Sequence, residues 1–229
     1  MRFKSIIFDL DGTLFNYDLA ETSAIKKTFL YFNLPYQNQF LADYRKINKT
    51  VWDDFEQNKI SIKRLKVKRF EILLDKLGKT MDPVSFSEKY LYFLGLESQL
   101  INGAETLLQK LFGEVNLILM TNGIKEVQRS RLKHSSITHF FSDIIISDEV
   151  GIAKPASEIF KIALRHIDKP DKNTILMVGD NLSSDIKGGS DFGIHTCWYN
   201  PKSLHPDSKI QPDYEIKSLE EILKIAGIS

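Results

Sequence analysis

A chain of 229 residues is long enough for one complete hydrophobic core and part of a second, and 42% hydrophobic against 27% charged residues excludes a disordered or fibrous chain. A net charge of +1 gives no global pull toward nucleic acid or a membrane surface, so neither is expected as a partner. One cysteine, Cys197, excludes an internal disulfide, and without an apolar leader or a run of about 18 apolar residues the chain reads as cytoplasmic.

The first predicted element is a strand, Phe3-Lys4-Ser5-Ile6-Ile7-Phe8, with the apolar centre of a strand buried on both faces. It runs directly into Asp9-Leu10-Asp11-Gly12-Thr13-Leu14. One residue separates Asp9 from Asp11, so in extended backbone both carboxylates point to the same side. Charges so close repel unless a cation sits between them, and Gly12 permits a turn that a Cβ would resist. Two readings follow: a divalent-cation site with a nucleophilic carboxylate at a strand end, or a plain Asp-Gly turn.

From Asn16 to about Gly95 the periodicity is helical almost throughout. Ile25, Phe29 and Phe32 share one face; Phe70, Leu73, Leu74 and Leu77 share another that ends at Gly78. The segment is dense in aromatic residues and reads as an insertion with its own small core. Its basic run, Lys63-Arg64-Leu65-Lys66-Val67-Lys68-Arg69, is expected to be a solvated helix face rather than a nucleic-acid site.

Beyond Asn102 helices alternate with apolar strands. A helix with inward Leu107, Leu108 and Leu111 precedes a strand at Val115–Met120, which ends at Thr121-Asn122-Gly123. A helix over about 124–132 and a strand at Ile144–Ile146 come next. A helix opened by Pro155 carries Ile159, Phe160, Ala163, Leu164 and Ile167. The strand Ile175–Val178 ends at Gly179-Asp180, a helix follows through Ile186, and a short strand spans His195–Tyr199. Ser218-Leu219-Glu220-Glu221 forms a capping box for a last helix.

Such alternation predicts an α/β fold, a Rossmann-like parallel sheet flanked by helices, with ligands beyond the carboxyl ends of the strands. Asp9, Asp11, Thr121, Lys154 and Asp180 all fall there. Asp180 can join Asp9 on a metal; Asp185 suits an outer ring behind the ligands or, equally, the acidic first turn of a helix. Thr121 offers a hydroxyl, Asn122-Gly123 lead into a helix whose N–H groups suit a phosphate, and Lys154 offers an ammonium. Together they describe a phosphoryl group bound with a hard cation.

In order and spacing Asp9-Leu10-Asp11-Gly12-Thr13-Leu14, Thr121-Asn122-Gly123, Lys154-Pro155 and Gly179-Asp180-Asn181-Leu182-Ser183-Ser184-Asp185 resemble the four motifs of the haloacid dehalogenase superfamily. The insertion resembles that superfamily's helical cap. The stretch Ile146–Pro155 and the Thr121-Asn122-Gly123 form look like its branch of cytoplasmic pyrimidine 5′-nucleotidases. The resemblance implies a core of residues 1–15 and 96–229 and a cap of residues 16–95. It implies Asp9 as nucleophile through an aspartyl-phosphate and Asp11 as general acid and base. It implies Mg²⁺ on Asp9, Asp11 (by its carbonyl too) and Asp180, phosphate on Thr121, Asn122 and Lys154, and Asp185 behind them. Dehalogenases of the superfamily lack an acid at the place of Asp11, so its presence favours phosphoryl transfer. The expected substrate is a small phosphorylated metabolite, a nucleoside 5′-monophosphate first. The alternatives are a sugar-phosphate phosphatase or phosphomutase of the same fold, and a non-catalytic receiver-type module. A monomer or a homodimer is expected.

Overall fold

The computed structural model describes residues 2–57, 59–205 and 209–228. Their elements fall into two compact units. One comprises Met1–Tyr17, Gln99–Lys125 and Leu132–Ser229; the other comprises Asp18–Ser98 and Glu126–Arg131.

The first unit is built on a parallel sheet. Its strands are β1 (Ser5–Phe8), β2 (Asn116–Thr121), β3 (Asp143–Ile146), β4 (Ile175–Gly179), β5 (His195–Tyr199) and β6 (Tyr214–Ile216), in the order β3-β2-β1-β4-β5-β6. The fold is therefore α/β, a parallel sheet flanked by helices. β1 is central, paired with β2 (Phe8↔Leu119) and with β4 (Phe8↔Val178), so the three strands end at one level. That level carries the sequence-predicted residues. All four residues of β1 are buried, as a strand covered on both faces must be. Phe8, Leu119, Val178 and Cys197 lie in one core layer, Ile7, Met120, Met177 and Phe160 in another. Cys197 is sealed into its layer, and burial pushes its thiol up to about 12.

The sheet departs from the sequence reading in four places. β6 was not foreseen: three residues with Glu215 in the middle carry almost no period. Asp213 ties its approach to β5, accepting from the Thr196 backbone N–H at 2.8 Å. The helix expected to stop at Ile186 is a π-helical turn, Leu182–Ile186, that continues through Phe192. Gly188 and Gly189 look like a stop, yet they are where helix and neighbours close in: a Cβ on Gly189 would press on Thr196 and Met177. Pro155 does not open the next helix, which starts at Ser157 after an extended Ala156 (ψ 132°). The last helix starts at Glu221, whose carboxylate accepts from the Ser218 and Lys217 N–H groups at 2.8 and 2.9 Å, one half of the expected capping box.

The second unit is helical, with α1 (Tyr17–Tyr31), α2 (Asn38–Glu56), α3 (Ile62–Lys76) and α4 (Pro83–Gly95). Five aromatic residues anchor its core: Phe29, Tyr44, Phe70, Phe86 and Tyr90 are buried, Tyr44 stacking on Phe70 with centroids 5.4 Å apart. Ser61 caps α3 and Asp82 caps α4, with Pro83 in the first turn. Three cations of the basic run are paired with acids in place. Arg64 pairs with Glu71 through two 2.6 Å contacts, Lys66 with Glu126, Lys68 with Asp54, and Arg69 is buried against Asn48. Residues 126–131 join this unit although they follow a core strand. Gln128 and Arg131 are buried there, and Arg131 donates to the Glu97 carbonyl at 2.7 Å. Among the described residues no helix is long and apolar enough to cross a membrane.

Candidate active site

Four strand ends and the loops after them build the site, all within the first unit. After β1 the backbone stays hydrogen-bonded for one more residue, Asp9 N–H donating to the Val178 carbonyl at 2.9 Å. The chain then closes a tight turn, with the Leu14 and Phe15 N–H groups on the Leu10 carbonyl and Gly12 N–H on Phe15. Asp9 is thereby held at the end of the central strand, buried but for a small face. Asp11 follows half-buried in the turn.

Asp9, Asp180 and Asp185 come together, each offering a carboxylate oxygen within 4.8 Å of the others. Asp11 does not belong to that cluster by its side chain. The sequence reading had placed Asp11 among the ligands and Asp185 behind them. The π-helical turn makes the difference, because it carries Asp185, fully buried, back over the end of β4. Gly179 permits this approach, since a Cβ there would lie under 3.0 Å from the Asp185 carboxylate. Gly12, at φ +87°, does the same for Asp180.

Lys154 reaches the cluster from the loop after β3, where its peptide bond to Pro155 is cis. Its Nζ is 2.6 Å from Asp9 Oδ1, 2.7 Å from Asp185 Oδ1 and 2.9 Å from the Met120 carbonyl. An ammonium has three protons, and these three acceptors take them all. As placed, Lys154 can meet a phosphoryl oxygen only by giving up one of them. Burial works against its charge, but Asp185 and Asp9 outweigh burial and hold its pKa above the ordinary lysine range. Asn122 fixes the lysine's backbone, donating to the Lys154 carbonyl and accepting from its N–H, both at 2.8 Å. The Asn122 side chain is thus committed, leaving its main chain for a ligand. Thr121 ends β2 with its hydroxyl accepting from Gly123 N–H at 3.2 Å. One N–H foreseen for a phosphate, that of Lys125, is taken by Asp148 at 3.1 Å.

One lysine shared between carboxylates leaves the cluster short of positive charge. The Asp9 pKa is raised from 3.8 to about 7, by burial first and then by Asp185 and Asp11, against the opposing pull of Lys154. Asp180 is raised as well, by desolvation and then by Asp9 and Asp185; the residue keeps an exposed face, while its carboxylate is crowded by neighbouring atoms. Once all three carboxylates are ionised they exceed the one ammonium by two negative charges, the amount a divalent cation neutralises. The donor set, all hard oxygens beside a backbone turn, fits Mg²⁺, with Asp9, Asp180 and Asp185 able to hold it.

Three residues of the site had no role in the sequence reading. Gly179 makes room for Asp185. Thr13, fully buried, donates to Asp180 Oδ1 at 3.4 Å. Trp198 donates its indole N–H to the Asp180 carbonyl at 2.9 Å. A buried tryptophan nearly always satisfies its N–H, which was the one available signal.

Residues 3–193 match the haloacid dehalogenase-like hydrolase family, and the chain belongs to it. It is 36% identical to YfnB of Bacillus subtilis (strain 168) over 227 residues, covering 99% of this chain and 97% of that one. The crystal structure of YfnB bound to magnesium matches it with a TM-score of 0.94 over the whole of both chains. It is 32% identical to the pyrimidine 5′-nucleotidase YjjG of Escherichia coli (strain K12), covering 97% of each. It is also 33% identical to the pyrimidine 5′-nucleotidase PynA of Streptococcus pneumoniae (strain ATCC BAA-255 / R6), covering 97% of this chain and 94% of that one.

Proposed function

We propose that this hydrolase is a Mg²⁺-dependent phosphomonoesterase of the cytoplasm that acts on nucleoside 5′-monophosphates, pyrimidine ones first, through an aspartyl-phosphate on Asp9. The observation that carries the chemistry is the cluster of Asp9, Asp180 and Asp185 around a single lysine, at the end of the central strand. The pyrimidine preference is supported by the two nucleotidases to which the chain is similar along its length. The second unit is read as the family's helical cap.

A carboxylate oxygen of Asp9 forms a bond to phosphorus while the bond from phosphorus to the ester oxygen breaks, and Asp11 gives that oxygen its proton. Water then bonds to phosphorus, its proton passes to Asp11, and the bond from phosphorus to Asp9 breaks. The products are the alcohol and inorganic phosphate, with Asp9 and Asp11 restored. Before the attack, Lys154 offsets the charge of Asp9 and fixes one of its oxygens. Thr121 and the main chain of Asn122 are the groups proposed to meet the phosphoryl oxygens. When bound, the divalent cation supplies positive charge beside the transferring group.

The test is a comparison of kcat/KM for uridine or thymidine monophosphate against hexose phosphates. A preference for the nucleotide of tenfold or more, about 1.4 kcal/mol, is expected. An equal preference for a hexose phosphate overturns the substrate reading and leaves the phosphatase reading standing.

A further inference from the structure

The peptide unit joining Asp180 to Asn181 is held at both of its polar atoms by side chains. Its carbonyl accepts from the Trp198 indole N–H at 2.9 Å, and its N–H donates to Asp185 Oδ2 at 3.1 Å. Trp198 is in register with Gly179 on the neighbouring strand, so the sheet itself brings the indole to the end of β4. It is almost wholly buried, and β5 is itself anchored by Asp213 on the Thr196 N–H. The Asp180 carboxylate has support of its own from the Thr13 hydroxyl and the space left by Gly12.

That arrangement has a mechanical consequence. A Cβ stands on the Cα and carbonyl carbon of its own residue, so a carboxylate at a strand end is held only as firmly as the peptide that follows it. With both polar atoms of that peptide engaged, displacing it breaks two hydrogen bonds. Asp185 contributes one of these and also holds Lys154. Trp198 contributes the other and has no charge of its own, so it can act on the site only through geometry.

We propose that Trp198 is a positioning residue for the metal ligand Asp180: by pinning the Asp180–Asn181 peptide it presents the carboxylate preorganised for a divalent cation. The inference rests on the reading of Asp180 as a ligand. It adds a residue from outside the clustered acids and makes a neutral side chain a determinant of metal affinity. Groups that orient metal ligands from behind commonly control affinity by an order of magnitude or more.

The experiment is Mg²⁺ binding by titration calorimetry to Trp198→Phe, with Asp180→Ala beside it. Trp198→Phe is expected to weaken Mg²⁺ binding about tenfold, to reduce the Mg²⁺-induced rise in Tm, and to recover turnover as Mg²⁺ is raised. A role in packing alone would lower Tm equally with and without Mg²⁺ and leave the affinity in place; that result overturns the proposal. Should Trp198→Phe fail to fold, tryptophan is replaced by its benzothienyl isostere in a Trp52→Phe background, removing the N–H and keeping the shape. Mg²⁺ affinity within about twofold of that background overturns the proposal, and a loss of about tenfold supports it. If Asp180→Ala binds Mg²⁺ as the unmodified protein does, the ligand reading itself falls, an outcome distinct from failure at Trp198.

Discussion

The Lys154 ammonium lies 2.6 Å from Asp9 Oδ1 and is shared with Asp185, so one cation serves two buried carboxylates. Removing it should therefore cost more than a surface pair would. Lys154→Met leaves both acids without their counter-charge and is expected to destabilise the metal-free protein by about 3–5 kcal/mol, read from urea denaturation. Adding Asp185→Asn to Lys154→Met removes one of the stranded charges and should restore part of the loss. Independent, additive effects of the two substitutions would contradict the shared pairing.

The raised pKa of Asp9 makes a prediction with a definite sign. In the fold the proton is held up to about pH 7, against 3.8 for an ordinary aspartate, so the folded state binds more protons in that window. The contribution of Asp9 to stability is present below the unfolded value and is lost as pH rises through the folded one. Asp9→Asn mimics the protonated form, so its metal-free Tm should gain on the unmodified protein as pH rises across this range. Mg²⁺ binding displaces the proton, so its affinity for the unmodified protein should rise with pH over the same interval. A Tm difference that does not change with pH would contradict the assignment.

Asp180→Ala should weaken Mg²⁺ binding and raise the Mg²⁺ needed for half-maximal turnover by about tenfold or more, with excess Mg²⁺ restoring part of the activity. Full turnover in the presence of a chelator would count against the cluster as a cation site.

Gly12 combines a left-handed backbone, φ +87°, with a Cβ direction blocked by the Asp180 carboxylate at under 3.0 Å. Gly78 shares the left-handed backbone, φ +60°, and has open space around it. Gly78→Ala should lose only the conformational part, about 1 kcal/mol. Gly12→Ala should cost more and should also displace Asp180, lowering Mg²⁺ affinity. Equal losses in the two variants, measured by thermal denaturation, would show that the contact with Asp180 is unimportant.

Much of this site was legible because strand ends carry a plain signature. An apolar, β-branched run that stops at Asp9, at Thr121 or at Asp180 places those residues at one edge of a parallel sheet. The fold class followed from the same alternation. What the pattern did not carry was distance. The spacing of Asp180 and Asp185 reads as a strand end and a helix turn, and the π-helical turn that brings their carboxylates together has no period of its own. The three acceptors of Lys154 come from the residue after β1, from β2 and from the turn after β4, and no local sequence reports that convergence. Residues 126–131 joined the helical unit through buried Gln128 and Arg131, polar residues that periodicity counts as exposed. The aromatic density of the insertion was read as a small core of its own, and Phe29, Tyr44, Phe70, Phe86 and Tyr90 are buried in one.

Chemical trapping during turnover tests the nucleophile directly. Borohydride reduces an aspartyl-phosphate to homoserine, and the residue can be located by mass spectrometry of the peptide that contains it. With Mg²⁺ and a nucleoside monophosphate present, residue 9 should be recovered in part as homoserine. The same treatment without substrate, or of Asp9→Asn, should leave residue 9 unreduced. Homoserine at another aspartate, or undiminished turnover by Asp9→Asn, would contradict covalent catalysis by Asp9.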